Sequence, residues 1–195
     1  MADAVPRPEW ASPIEVGVHA QSFYSALSEQ PTREVLQPLR NDPKLLEFLK
    51  KHGLGRLELS SRLPDPRWHG SYQPSTGELV VNAFRDPDTY GKEFRPGELV
   101  TVSAAGRDLA EAMQRSLYHE LGHKIIDTVG PTALHQIESL RRSGRTLPVS
   151  QRARAGPEED FSESFAAYRF ADSFADKDPE GYDMVETILR AAWKK

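Results

Sequence analysis

Five consecutive residues, His119-Glu120-Leu121-Gly122-His123, carry the densest chemistry in this chain. Residues four apart share one face of a helix, so two imidazoles at that spacing can reach one metal ion, at about 2.0–2.1 Å from nitrogen to zinc. A glutamate directly after the first histidine meets a water on that ion without occupying the ion itself. The ion acidifies the water and polarises a carbonyl, and the carboxylate takes the proton. The pattern predicts metal-assisted hydrolysis, with His119 and His123 as zinc ligands and Glu120 as general base. Gly122 costs a helix about 1 kcal/mol against Ala and opens room for a close approach by another segment.

A catalytic zinc takes three protein ligands and keeps one position open. Lys124 to Gly130 offers no third histidine, so the ligand has to come from further along. Glu159-Asp160-Phe161-Ser162-Glu163 begins 36 residues past His123 and sets two carboxylates one helical turn apart. One can bind zinc while the other accepts a hydrogen bond from a ligand imidazole and fixes its tautomer. Spacing alone does not divide those roles between Glu159 and Glu163. Glu158 reads as a helix-dipole cap, and Phe161, Phe165 and Tyr168 as core contacts. His19, His52, His69 and His135 have no partner at ligand spacing and read as surface or capping residues.

HELGH followed by EDFSESFAAY resembles the Glu-zincin metallopeptidases, and within them the anthrax lethal-factor-like group and related phage- and toxin-associated peptidase domains. The resemblance spans roughly residues 109–170, with a weaker echo over Gly70–Asn82 of the hairpin that precedes the active-site helix. It implies an α+β zincin-like fold: a small mixed sheet on the HExxH helix, with a helical C-terminal part. It further implies zinc held by His119, His123 and Glu159, with Glu120 as base and Glu163 supporting the site. The family often carries an oxyanion-stabilising tyrosine seven residues before the third ligand, in a Ser-x-Tyr-Ala context. Here that segment reads Ser150-Gln151-Arg152-Ala153, so Arg152 holds the slot, and an arginine can donate to a developing oxyanion. Residues 1–55 fall outside the resemblance, which implies a peptidase domain over 56–195 preceded by an arm and helices without an assigned role.

Composition narrows the field. The 195 residues contain six histidines and no cysteine, which excludes thiolate zinc sites, thiol nucleophiles and disulfide scaffolds. With 25 basic against 29 acidic residues, the net charge of −4 argues against a nucleic-acid partner. The arginines between 141 and 154 read as a solvated loop. The N-terminus shows no apolar core of signal-peptide length, and no stretch approaches the roughly 20 apolar residues of a membrane span. The expectation is a soluble, cytoplasmic protein acting on a peptide or protein substrate. The alternative expectation is a catalytically weak or inactive metallopeptidase-like module that uses its zinc for stability or partner recognition.

The elements that must position these groups follow from pattern and punctuation. Residues 1–20 read as a Pro-rich arm. Phe23, Tyr24 and Leu27 suggest a short helix, Thr32 the cap of a second ending near Pro38, and Asp42-Pro43 the start of a third that Gly53 stops. Arg56–Ser60, Tyr72 and Glu78–Asn82 read as strands, the last two joined by a turn at Pro74–Gly77; Leu99–Ala104 reads as another, after a loop over 83–97. Leu109, Met113, Leu117, Leu121 and Ile125 predict one long helix capped by Asp108. Further helices are expected from Pro131, from Pro157 and from Asp178-Pro179 to about Trp193. A bound peptide is expected along a sheet edge supplied by Glu78–Asn82 or Leu99–Val102.

Overall fold

The structure is a computed structural model that describes residues 20–60, 63, 68–83, 109–146, 148–150, 152–171 and 173–195. The expected arm, the 84–97 part of the loop, the Leu99–Ala104 strand and the Asp108 cap lie outside these residues. Within them the fold is mixed α+β, with seven helices and one four-stranded mixed sheet.

The chain enters through β1 (Ala20–Ser25), where the sequence suggested a helix. Alternation explains the correction: β1 pairs in parallel with β2 (Leu54–Ser60), and Phe23 and Ser25 lie beside Leu57 and Leu59 on the core face. The pairing partner stands 34 residues downstream, since Ala20 pairs with Leu54, so nothing local announces it. Helix α1 (Glu29–Arg40) begins earlier than a Thr32 cap implies, and Thr32 lies buried one turn inside it, donating to the Ser28 carbonyl at 2.8 Å. Nor does Pro38 end the helix. Proline cannot donate to the carbonyl four residues back; that oxygen, on Glu34, instead accepts from Gln114 Nε2 at 2.8 Å. Helix α2 (Pro43–His52) starts as expected, with Asp42 accepting from the Leu45 amide at 3.1 Å.

The sheet order is β1-β2-β4-β3, where β3 (Gly70–Gln73) and β4 (Glu78–Asn82) form an antiparallel hairpin. Glu78–Asn82 is therefore an interior strand, hydrogen-bonded on both sides, and cannot offer the edge expected of it. Among the described strands that edge belongs to β3. One face of the sheet presents Leu57, Leu59, Leu79 and Val81 to the helices. The other is polar, with Arg56 ion-paired to Glu58 and, at 3.3 Å, to Glu78.

Helix α3 (Leu109–Val129) runs through the centre of the molecule. Met113, Leu117, Leu121 and Ile125 are fully buried, as their spacing predicts, and Tyr118 and Ile126 are buried beside them. Leu36, Leu39, Leu45 and Leu49 of the first two helices join the same core, so the N-terminal segment helps to seat α3. The chain continues through α4 (Pro131–Arg142), a 3₁₀ turn (Arg152–Ala155), α5 (Pro157–Phe170), α6 (Phe174–Lys177) and α7 (Pro179–Ala192). Arg141 departs from the solvated-cluster expectation: it turns inward and pairs with both oxygens of buried Asp160. It also donates to Thr146 at 2.7 Å, and Thr146 in turn donates to Asp178 at 2.6 Å, tying α4, α5 and the cap of α7 together. No described helix is long and apolar enough to cross a membrane.

Removing one partner of a buried ion pair leaves the other charge uncompensated, at a cost of about 3–5 kcal/mol. Arg141→Met strands the Asp160 carboxylate in this way. Urea denaturation at pH 7 should show a loss of that size, and a change below about 1 kcal/mol would make the pair incidental to stability.

Candidate metal centre

The candidate site forms where α3 and α5 cross. Gly122 is the residue that permits the crossing: a Cβ placed on it would lie 2.7 Å from Ser162 Cα, a backbone atom that cannot swing aside. The close approach expected of Gly122 is thus made by α5 itself. Ser162 stands between Glu159 and Glu163, and the contact delivers both carboxylates to the histidine face of α3.

His119 Nε2 and His123 Nε2 face each other at 3.2 Å. Glu159 approaches both, with Oε2 3.4 Å from His119 Nε2 and Oε1 3.6 Å from His123 Nε2. Two donors each about 2.0–2.1 Å from a tetrahedral ion stand about 3.3 Å apart, so these separations match the edges of a zinc coordination polyhedron. Ligand atoms of His119, Glu120 and His123 all lie within 4.8 Å of one another, the one such group among the described residues. Glu159 meets each imidazole with a different oxygen, so two carboxylates, Glu120 and Glu159, stand beside the histidine pair. Glu163 Oε1 lies 2.8 Å from His119 Nδ1, a charge contact on the far side of the ring.

Glu120 is buried and its Oε1 has no hydrogen-bond partner. Strand β3 passes directly over it. A Cβ on Gly70 would lie 2.7 Å from both Glu120 Cγ and Oε1, so only glycine leaves the carboxylate its space. The donor set and this orphaned oxygen together fit a divalent ion with a base beside it.

Arg152 opens the 3₁₀ turn and donates from Nε to Glu159 Oε2 at 2.8 Å. Its turn is anchored rather than loose: the Ala153 amide donates to Ser150 Oγ at 3.1 Å, and Val149, Ser150 and Ala153 are buried. Counting seven residues back from Glu159 located Arg152 near the site but gave no hint that Glu159 is its partner. The cleft beside the site measures about 570 Å³, within the usual range for ligand pockets. Glu120, His123, Glu159 and Arg152 line it, with Gly70 and Tyr72 of β3 on one wall and Ile126 and Leu134 on another. Tyr72 donates to Asp127 at 3.3 Å across this space, a pairing the sequence did not announce. Trp68 also lines the cleft and is the exposed large apolar residue among those described. Phe161 and Phe165 are core residues, as expected, and His135 is exposed.

The electrostatics follow from burying three carboxylates with two imidazoles. Burial opposes charge on His119, but Glu163, Glu159 and Glu120 outweigh it and raise its pKa to about 10. His123 moves to about 4, lowered by burial and then by the charge on His119. Glu120 is pushed up to about 7, chiefly by burial. Glu159 pays the same burial penalty, yet His119 and Arg152 hold it down at about 2. Glu163 is likewise held low by His119 despite its burial.

No family model and no curated protein matches this chain, so the site has to be judged on its own geometry.

Two measurements test the centre. Gly122→Ala must push α5 away from α3, so divalent-metal affinity should fall about tenfold or more, with stability lower by about 1–3 kcal/mol. Chelator competition and thermal unfolding read the two effects. Because a metal takes the neutral imidazole, its uptake has to expel the His119 proton. Affinity should therefore weaken as pH falls, and binding at pH 7 should release about one proton per ion, read by calorimetry in two buffers of different ionisation enthalpy.

Proposed function

We propose that this protein is a zinc-dependent endopeptidase of the Glu-zincin type, with an α+β zincin-like fold. The observation that carries the reading is the facing pair of His119 and His123 imidazoles, 3.2 Å apart, with the two oxygens of Glu159 at 3.4 and 3.6 Å from one ring each, beside buried Glu120, whose Oε1 has no hydrogen-bond partner. Zinc is the divalent ion that two imidazoles and one carboxylate suit in a hydrolase, and when bound it polarises a carbonyl and acidifies a water.

The remaining chemistry belongs to the chain. Glu120, raised toward neutrality by burial, accepts a proton from the attacking water and returns it to the leaving amine near pH 7. Glu163 sets its charge against the Nδ1 side of His119, 2.8 Å away, while Nε2 faces the position the ion would take. Arg152 has five N–H donors and commits Nε to Glu159; the rest serve the carbonyl oxygen as negative charge grows on it. A peptide or protein substrate lies along β3, an edge strand among those described whose residues line the cleft, and adds to the sheet by main-chain hydrogen bonds.

The alternative reading, a zinc-binding interaction module without useful catalysis, draws support from Arg152 standing where the resembled family often has a tyrosine. The two readings part on one experiment. For an endopeptidase, purified protein carries zinc near one equivalent and cleaves members of a peptide library. Glu120→Gln then keeps the zinc and loses about 10²–10⁴-fold in rate. Full activity in Glu120→Gln, or no bound zinc, sinks the peptidase reading; stoichiometric zinc with no cleavage in the parent protein selects the module.

A further inference from the structure

Glu159 has two carboxylate oxygens, and a catalytic centre has use for only one of them. If both bound the ion, they would fill the position that substrate and water need. Oε2 stands 3.4 Å from His119 Nε2 and also accepts a 2.8 Å hydrogen bond from Arg152 Nε, which competes with the ion for that oxygen. Oε1, 3.6 Å from His123 Nε2, has no such contact among the described residues.

We propose that Arg152 is a positioning residue that restricts Glu159 to one-oxygen ligation and so keeps the coordination position open. The inference rests on the metal reading above and assigns a structural cause to its open site. Three features make Arg152 suited to the task. Among the described residues that line the cleft it is the lone Lys or Arg. Its backbone is held by buried Val149, Ser150 and Ala153, with the Ala153 amide donating to Ser150 Oγ, which places the guanidinium near the first turn of α5. The guanidinium is also planar and permanently charged, so it holds a carboxylate oxygen with a direction that an ammonium lacks. Glu159 itself is about a quarter exposed, which leaves it free to rotate once that hold is removed.

The test uses full-length protein loaded with Co²⁺, whose visible absorption is strong in four-coordinate sites and weak at higher coordination numbers. Parent protein should give the strong four-coordinate spectrum. Arg152→Gln should bind cobalt at the same stoichiometry with a spectrum weakened severalfold, as the freed carboxylate takes a second position. Arg152→Lys should fall between them, because it restores charge without direction. In Glu159→Gln, where a neutral amide replaces the carboxylate, adding Arg152→Gln should produce no further spectral change. Circular dichroism confirms that each variant is folded; the Arg152 side chain is 43% exposed, so its replacement leaves the core intact. A parent-like spectrum in Arg152→Gln overturns the inference while leaving the metal reading standing. A parent protein that takes up no cobalt overturns the metal reading and this inference with it.

Discussion

The crossing of α3 and α5 at Gly122 and Ser162 is the constraint on which the site depends. Histidines on one helix and carboxylates on another meet only if the two backbones nearly touch, since a glutamate side chain extends only a few bonds. A side chain at position 122 would hold the helices apart, and the carboxylates would draw away from the histidines. The rest of the fold serves this contact. The sheet and the first two helices bury one side of α3 in leucine and phenylalanine, while Arg141, paired with Asp160, ties α5 to α4 behind it. The first turn of α5 thus divides its acids by direction. Glu159 faces the histidines, whereas Asp160, one residue further round the helix, faces a structural arginine.

Charge balance gives that geometry its chemical character. Glu120, Glu159 and Glu163 are gathered with Arg152 as the fixed cation at the site, and burial penalises every unpaired charge among them. The protein answers by holding a proton on His119 and by leaving Glu120 close to neutrality. A divalent cation answers the same imbalance more completely, because it satisfies both imidazoles and a carboxylate at once. The proton on His119 and a metal are therefore competitors for one site, and the acids that favour the first also favour the second.

What could be read from the sequence was what is local. The 109–129 helix, the Asp42 cap and the Pro157 and Asp178-Pro179 starts each rest on residues within a few positions of one another. The histidine pair is local in the same sense, and Gly122 already signalled a close approach. Non-local pairing was not legible. Phe23 and Tyr24 gave too short a pattern to separate a strand from a helix turn, and their partner strand begins some thirty residues later. The Pro38 stop failed for a related reason: the carbonyl it leaves unpaired is met by Gln114, which local reading cannot see. Glu78–Asn82 was recognised as a strand, but its interior place depends on which strands flank it, and that order is a property of the whole sheet.

An arginine at position 152 suits the charge balance of this particular chain. A tyrosine offers a single donor and no charge, and can serve a substrate oxygen only. The guanidinium offers five donors, so one can hold Glu159 while others remain for a substrate carbonyl. Its charge also offsets part of the three-carboxylate excess that burial makes costly. The accompanying penalty is repulsion between a fixed cation and a divalent ion held by the same glutamate. That penalty is softened because Glu159 lies between them and the arginine is partly exposed to water, where charge interactions are weaker than in the interior. Arginine at this position therefore trades some metal affinity for control over the ligand's second oxygen. In the hydrolytic centre we propose, that control matters more, since an ion held tightly by a fully coordinating site has no position left at which to act.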